Sequence, residues 1–461
     1  SIGDLAVQIF ESGHMQKQSN SVTSDSLSIQ GTETDKAHRI VDSLLSDYNG
    51  PVAIRLWDDR LFSGSEFIKC VLHIHHPGVL RVLILRRNMV KLAEAYMAGY
   101  IEVTGDFETL FSLDSHLTNF KPGLRQSLQL VLDALHLTPL KKHKYDRRIK
   151  AGNGQQSNSH KTISHHYDVG NDFYRLWLDD NMVYSCAYFR DSEQSLDEAQ
   201  QDKLDYLCRK LRLQAGQSVL DIGCGWGALA LWAAQHYGVT VHGITLSKEQ
   251  KVLADERIRK AGLEDRISIE LRDYRNLQGN AVYDRVVSVG MFEHIGVNNF
   301  TQYFRKIKQV LKPKGLFLNH GITRNTGWKE TQLTRFINQY IFPDCELARI
   351  SDVSDAMEKA GFEIVDVESL RRHYALTLRR WVEALEAGKK QAAEITSREI
   401  YHLWRLYMAG CAYYFEEGSI NVHQVLAGHQ LDHLPIPLRR DDLYKCNVNI
   451  GSKSIHTRVR Q

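Results

Sequence analysis

Residues 219–227 read Val-Leu-Asp-Ile-Gly-Cys-Gly-Trp-Gly. Val219 to Ile222 is a short apolar run broken only by Asp221, as in a buried strand. Gly223, Gly225 and Gly227 follow at alternate positions and lead into ALALWAAQHY, a helix-like stretch. A strand that turns this sharply into a helix needs residues without a Cβ, so that backbone can approach a ligand without a clash. A lone GxGxG turn also serves as a plain tight connection. Its neighbours sharpen the reading: Asp221 at the strand end, VHGITLS at 241–247, and Arg272-Asp273-Tyr274 closing a third strand.

Working outward, SVLDIG (218–223), VTVHGIT (239–245), ISIELRD (267–273), YDRVVSVG (283–290) and GLFLNHGIT (315–323) are strand-like. LDEAQQDKLDYLCRKLRL, ALALWAAQHY, KEQKVLADERIRKAG and NNFTQYFRKIKQVL fill the gaps as helices. Such alternation predicts βαβ crossovers and a doubly wound, mostly parallel α/β sheet. Ligands then bind at the carboxyl ends of the strands.

Upstream, residues 1–36 are polar and commit to no element. Residues 37–140 predict a small α+β domain, with strands at Val52–Trp57 and Val79–Leu85 and a helix at Asn88–Met97. A further helix at 123–136 carries an apolar stripe of Leu124, Leu128, Val131, Leu132 and Leu135. Residues 141–150 hold six Lys/Arg and one Asp, and AGNGQQSNSHKT follows; together 141–162 reads as a linker. Residues 163–461 are then one catalytic domain.

Composition limits the function. The 461 residues are 43% hydrophobic and 25% charged, ordinary for a globular protein. Lys+Arg number 58 against 55 Asp+Glu, a net +3 that does not point to nucleic acid. Seven cysteines show no CxxC or Cys/His spacing, so neither a disulfide framework nor a metal site is expected. No apolar run reaches the ~18 residues of a membrane span, and no signal-peptide pattern opens the chain. A cytoplasmic location is the expectation.

The glycine turn and the strand ends after it resemble the S-adenosylmethionine methyltransferase fold; dinucleotide fingerprints place the last glycine one residue later. That resemblance implies cofactor contacts from Asp221, Gly223, Cys224 and Gly225 (amino-acid part), Thr245, Leu246 and Gln250 (second strand end), and Asp273 and Tyr274 near adenine. HYDVGNDFY (166–174), YSCAYF (184–189), GMFEHIG (290–296), FINQYIFP (336–343) and HYALTLRRW (373–381) narrow it further. With GCGWG and TLSKEQ they resemble the cyclopropane-fatty-acyl-phospholipid synthases, over about 300 residues from Ser164, and Tyr184 and Ser185 join the cofactor set. The family's reaction adds a methylene to the cis double bond of an unsaturated phospholipid acyl chain, with bound bicarbonate as base. Carried over, the bicarbonate contacts are Cys186 (backbone), Glu293, His320, Ile322 (backbone) and Tyr374. Cys411 matches a family cysteine once assigned as nucleophile, although the chemistry needs no thiolate. This chain has His320-Gly321-Ile322 where the family carries His-Thr-Ile. The resemblance also implies a homodimer. The substrate lies in a bilayer, so peripheral docking on the inner membrane face is expected, with the basic run 141–150 against anionic headgroups.

Overall fold

The structure is a computed structural model that describes residues 32–141, 169–342 and 346–444. The basic run beyond Lys141, the linker at 151–162, Ser164–Asp168 and Pro343 lie outside the described residues. The chain divides into two compact units: Ser1–Ser157 with Gly327–Pro343 and Leu378–Glu417, and Asn158–Thr326 with Asp344–Thr377 and Gly418–Gln461.

The first unit holds a four-stranded sheet in the order β2-β1-β3-β4, from β1 (Val52–Arg55), β2 (Leu61–Ser63), β3 (Cys70–Ile74) and β4 (Ile101–Gly105). Residues 79–85, expected as a strand, are instead helical within Gly78–Arg86. Six apolar residues around Arg81 carry no period that separates a buried helix from a buried strand. The flanks decide it: Pro77 starts the helix at φ −58°, and Arg87 ends it in the left-handed region at φ 43°. The helix Met89–Met97 begins as expected, where Asn88 accepts from the Lys91 amide.

The helix Leu124–Leu135 forms, but the expected stripe is not its buried face. Ser127, Leu130, Val131, Asp133 and Ala134 point inward, while Leu124, Leu128 and Leu135 are exposed. Asp133 sets the rotation. Its buried carboxylate accepts from Arg39 Nε (3.1 Å) and Nη2 (2.7 Å) and from Gln129 Nε2 (3.1 Å).

The expected single domain over 163–461 is also corrected. Arg405, on the helix Arg398–Glu417, donates to Tyr96 Oη (3.2 Å) and the Val103 carbonyl (3.1 Å) and lies 4.4 Å over the Phe107 ring. Arg379 meets Glu108 through two 2.7 Å bonds, and Tyr340 Oη donates to Glu94 at 2.7 Å. These ties draw 327–343 and 378–417 into the first unit.

The second unit is built on one seven-stranded sheet, ordered β10-β11-β9-β8-β5-β6-β7. Its strands are β5 (Ser218–Ile222), β6 (Thr240–Thr245), β7 (Ile267–Leu271), β8 (Tyr283–Val289), β9 (Leu311–Arg324), β10 (Phe362–Ser369) and β11 (Ile420–His429). The five expected strands pair in parallel; β11 runs antiparallel to both β9 and β10. One core, with Leu220, Val286, Phe304, Phe317 and Met357, packs the helices Phe300–Val310 and Ile350–Lys359 on one face. The other, with Leu207, Ala230, Ile258, Val287 and Leu318, packs Leu196–Lys210, Ala228–Tyr237 and Lys248–Ala261. The chain leaves β5 toward β6 and later returns to β8 on its other side. The strand order therefore reverses between β5 and β8, and that crevice is where a ligand fits. Among the described residues no helix is long and apolar enough to cross a membrane.

Arg39→Leu strands Asp133 inside the first unit and should cost roughly 1–3 kcal/mol, read from the urea midpoint. Arg39→Leu/Asp133→Leu should recover most of that loss, because an apolar pair needs no charge balance. A double variant as unstable as the single one would rule out charge as the cause.

Candidate active site

Gly223, Gly225 and Gly227 have φ of 78°, 55° and 80°, a region that L side chains rarely adopt. A Cβ on Gly225 would meet nothing within 4 Å, so the turn faces open space. Cys224 turns the other way. Its amide donates to the Ile244 carbonyl at 3.0 Å, and its sulfur packs where a Cβ on Gly243 would stand. Beneath the turn, Asp221 is buried; desolvation pushes its carboxyl up to about 7, with Lys203 pulling the other way.

The next strand ends are tied by their own side chains. After β6, Thr245 Oγ1 donates to Gln250 Oε1 (2.7 Å) and accepts from the Ser247 amide (3.2 Å), while Ser247 caps the following helix. Leu246 is left half-buried. After β7, the Asp273 carboxylate is gripped by Arg275 through Nε (2.9 Å) and Nη2 (2.6 Å), and Tyr274 meets Tyr303 edge-on at 4.9 Å.

Glu293 sits in a single 3₁₀ turn, Phe292–His294, reached from β8 through Gly290 at φ 66°. Its carboxylate is 3% exposed. Oε1 accepts from the Ile322 amide at 2.7 Å, and Oε2 has no partner. Burial pushes the acid up to about 7, against the pull of that amide. His320, on β9, is as deeply buried and is pushed down to about 3 by burial, with Lys203, Lys210 and His423 adding to the shift. It is neutral at any physiological pH. Gln424, its cross-strand partner on β11, places Nε2 3.1 Å from His320 Nδ1. An amide N–H donating to Nδ1 leaves the ring proton on Nε2.

The segment before the helix Leu196–Lys210 closes the group. Ser185 Oγ accepts from Lys203 Nζ at 2.9 Å, and the Ser185 carbonyl accepts from Gln200 Nε2 at 2.9 Å. Cys186 directs its thiol to the Ala187 and Leu370 carbonyls, and burial holds it protonated. Tyr184 packs edge-on to Trp177 at 5.5 Å, beside Tyr174. Tyr374 is buried in the first turn of the helix Arg371–Ala387.

The family model for mycolic acid cyclopropane synthetase matches residues 154–425. The chain belongs to that family. A probable fatty acid methyltransferase from Pseudomonas putida is 41% identical over 86% of this chain and 96% of its own length. The cyclopropane-fatty-acyl-phospholipid synthase of Escherichia coli K12 is 41% identical over 57% of this chain and 66% of its own length. The solved structure of cyclopropane synthase MmaA2 from Mycobacterium tuberculosis is 36% identical, covers 60% of this chain and 100% of its own, and superposes with a TM-score of 0.57. A second, CmaA1 complexed with SAH and CTAB, gives 36% identity and a TM-score of 0.56, over 58% of this chain and 98% of its own. The sheet is therefore that of the S-adenosylmethionine methyltransferases, as the glycine turn implied.

In this cyclopropane synthetase-family chain the second unit contains every expected site residue except Cys411. Cys411 lies in the first unit on the helix Arg398–Glu417, and burial pushes its thiol up to about 12. A nucleophilic role has no thiolate to draw on. The Ile322 amide, expected to meet an anion, is instead spent on Glu293. Two residues escaped sequence reasoning: Gln424, on a strand with no recognised motif, and Lys203, inside an ordinary amphipathic helix. Pairing of β11 with β9 was the missing signal for the first.

Gly321 has a local cause. A Cβ there would stand 2.1 Å from the Phe292 ring, which fills the space beside the strand. Gly321→Thr should cost about 1–3 kcal/mol of overpacking in a thermal melt, and Phe292→Leu should relieve part of it. The imidazole gives a second check. Nitrogen NMR of His320 should show one neutral Nε2–H tautomer from pH 8 to pH 5, and a tautomer mixture in Gln424→Leu. A ring titrating near 6.5 would refute the burial argument.

Proposed function

We propose that this protein is a cyclopropane-fatty-acyl-phospholipid synthase. It transfers a methylene from S-adenosylmethionine to the cis double bond of an unsaturated phospholipid acyl chain, with bicarbonate as the base. The observation that carries the reading is Glu293: a carboxylate buried without a cation, hung on one amide, with one oxygen unpaired beside a strand that carries a neutral histidine donor.

The residues present fit both bound groups. Open space at Gly225 and the buried acid Asp221 suit the amino-acid end of the cofactor. Thr245 with Leu246, and Asp273 with Tyr274, stand at the next two strand ends for its ribose and adenine. The cofactor supplies an electrophilic methyl group. Glu293 Oε2 can accept the hydroxyl proton of bicarbonate, and His320 Nε2–H and the Tyr374 phenol can donate to its oxygens. Bicarbonate there supplies a base that is not part of the chain.

The protein's own tasks follow. An alkene is a feeble nucleophile, so methyl and double bond must be aligned in a dry site. Burial of Glu293, His320 and Tyr374 supplies the dryness. His320 donates and does not compete for the proton, because burial keeps it neutral and Gln424 fixes its tautomer. Glu293 must be ionised to accept, so activity should fall as pH drops below about 7. The half-buried ring of Tyr184 offers a face that tolerates a cation without trapping it, while Tyr174 and Trp177 pack behind it. Homodimer formation and peripheral docking through the run at 141–150 belong to the same proposal.

A second reading is favoured by the Pseudomonas putida relative, whose match spans most of this chain and which is described as a probable fatty acid methyltransferase: methylation of the double bond without ring closure. Fatty-acid analysis after incubation with S-adenosylmethionine and unsaturated phospholipid vesicles decides between them. With S-adenosylmethionine alone, methylation without closure ends in a branched alkene of the same mass as the cyclopropane, so proton NMR of the fatty acids, ring-methylene protons against vinylic protons, tells the two apart. Glu293→Gln, His320→Gln and Tyr374→Phe should each lose roughly 10²–10³-fold in kcat, with cofactor affinity within a few-fold of wild type. Full turnover of carbonate-free enzyme, together with near-normal turnover in Glu293→Gln, would overturn the bicarbonate assignment.

A further inference from the structure

We propose that Lys203 is the anion receptor of this site, its buried ammonium placed to pair with the carboxylate-type oxygens of a bound ligand. The identity of that ligand rests on the S-adenosylmethionine and bicarbonate reading above.

Lys203 projects from the helix Leu196–Lys210 and is 2% exposed. Burial brings its ammonium down to about 8, against the pull of Asp179, Cys186 and Asp221, so it is still cationic at neutral pH. An ammonium has three donors. One goes to Ser185 Oγ at 2.9 Å, and among the described residues no carboxylate stands within 4 Å of it. Lys210, two turns along the same helix and as deeply buried, shows the usual solution: Glu368 neutralises it directly, with Asp366 at 3.9 Å. A buried cation without such a partner costs several kcal/mol.

The acids near Lys203 are otherwise occupied or held apart. Asp179 gives its oxygens to the amides of Val183 (2.8 Å) and Asn181 (3.0 Å). Asp221 lies beneath the glycine turn, near enough to shift Lys203 but outside ion-pair distance. Gln200, one turn earlier on the same helix, gives Nε2 to the carbonyls of Val183 and Ser185 and keeps a buried Oε1 with no partner. The surroundings of Ser185 thus hold a cation with spare donors, a separate buried acid and an unsatisfied acceptor. That set complements a carboxylate, and best one that also carries an ammonium. The α-carboxylate of the cofactor and bicarbonate both present the oxygens Lys203 can pair with.

The experiment separates the two sources. Calorimetry on the full chain compares S-adenosylhomocysteine, which has the α-carboxylate, with 5′-methylthioadenosine, which lacks it. Carbon-13 NMR titrates labelled bicarbonate. If Lys203 reads the cofactor, Lys203→Met weakens S-adenosylhomocysteine by roughly 10–100-fold and leaves methylthioadenosine within twofold. If it reads bicarbonate, the nucleoside affinities hold and bicarbonate affinity falls by a similar factor. Lys203→Arg keeps the charge and should retain most of the affinity in either case, which also covers a Met variant that fails to fold. Unchanged affinity for both anions in a folded Lys203→Met, or an Arg variant as weak as Met, would overturn the proposal. Wild type that binds neither nucleoside sinks the cofactor reading and this inference with it. Wild-type binding that Lys203→Met leaves intact sinks this inference alone.

Discussion

A single backbone amide holds the buried carboxylate of Glu293 in place. Pairing of β8 with β9 stops at Val289 and His320, but β9 continues to Arg324. The amide of Ile322 therefore projects past the last β8 partner with no strand to receive it. Glu293, folded back by Gly290 and one 3₁₀ turn, takes that donor at 2.7 Å. A buried N–H left unmade would cost as much as a lost hydrogen bond, so strand overhang and carboxylate fix each other. Gly321 belongs to the same arrangement, because the space beside it is taken by the ring of the residue next to Glu293.

Four buried groups of the second unit, Asp221, Glu293, Lys203 and His320, owe their electrostatics to burial more than to pairing. Asp221 and Glu293 are both held near 7, Lys203 near 8 and His320 near 3. Desolvation heads the causes in every case, and it drives each group toward neutrality. The outcome is a set of groups whose charge is cheap to change around neutral pH, with a histidine that acts only as a donor. Such coincident shifts gather where proton transfer is done. Cys186, Cys224 and Cys411, equally buried but with no role for a charge, are simply held as thiols.

What the sequence made legible was whatever local geometry demands. Three glycines at alternate positions and the βαβ alternation each act over a few residues, and both stand in the fold where expected. Glu293, His320 and Tyr374 were named through motif resemblance, and the sheet of the second unit carries the stretches that hold them. Illegible were features set by distant partners. The helix at 78–86 has a strand's composition, and only its flanks and packing decide. The rotation of Leu124–Leu135 depends on Arg39, far back in the chain. The segments 327–343 and 378–417 join the first unit through Tyr340, Arg379 and Arg405, whose partners lie 246, 271 and about 300 residues away. No local pattern encodes such a pairing.

The distribution of unsatisfied atoms ties these strands together. Folded proteins leave few buried polar atoms unpaired, because each forfeits its hydration for nothing. Among the described residues, the carboxylate and carboxamide atoms so stranded belong to Gln200, Glu293, Asn319 and Gln424. All four lie in the second unit. Asn319 is on β9 itself, Gln424 pairs with His320 across from it, and Glu293 hangs from its Ile322 amide. Three of the four thus lie on or against β9, and the fourth, Gln200, is on the helix Leu196–Lys210 beside Ser185. Groups arranged in advance lose little to reorganisation when charge develops beside them.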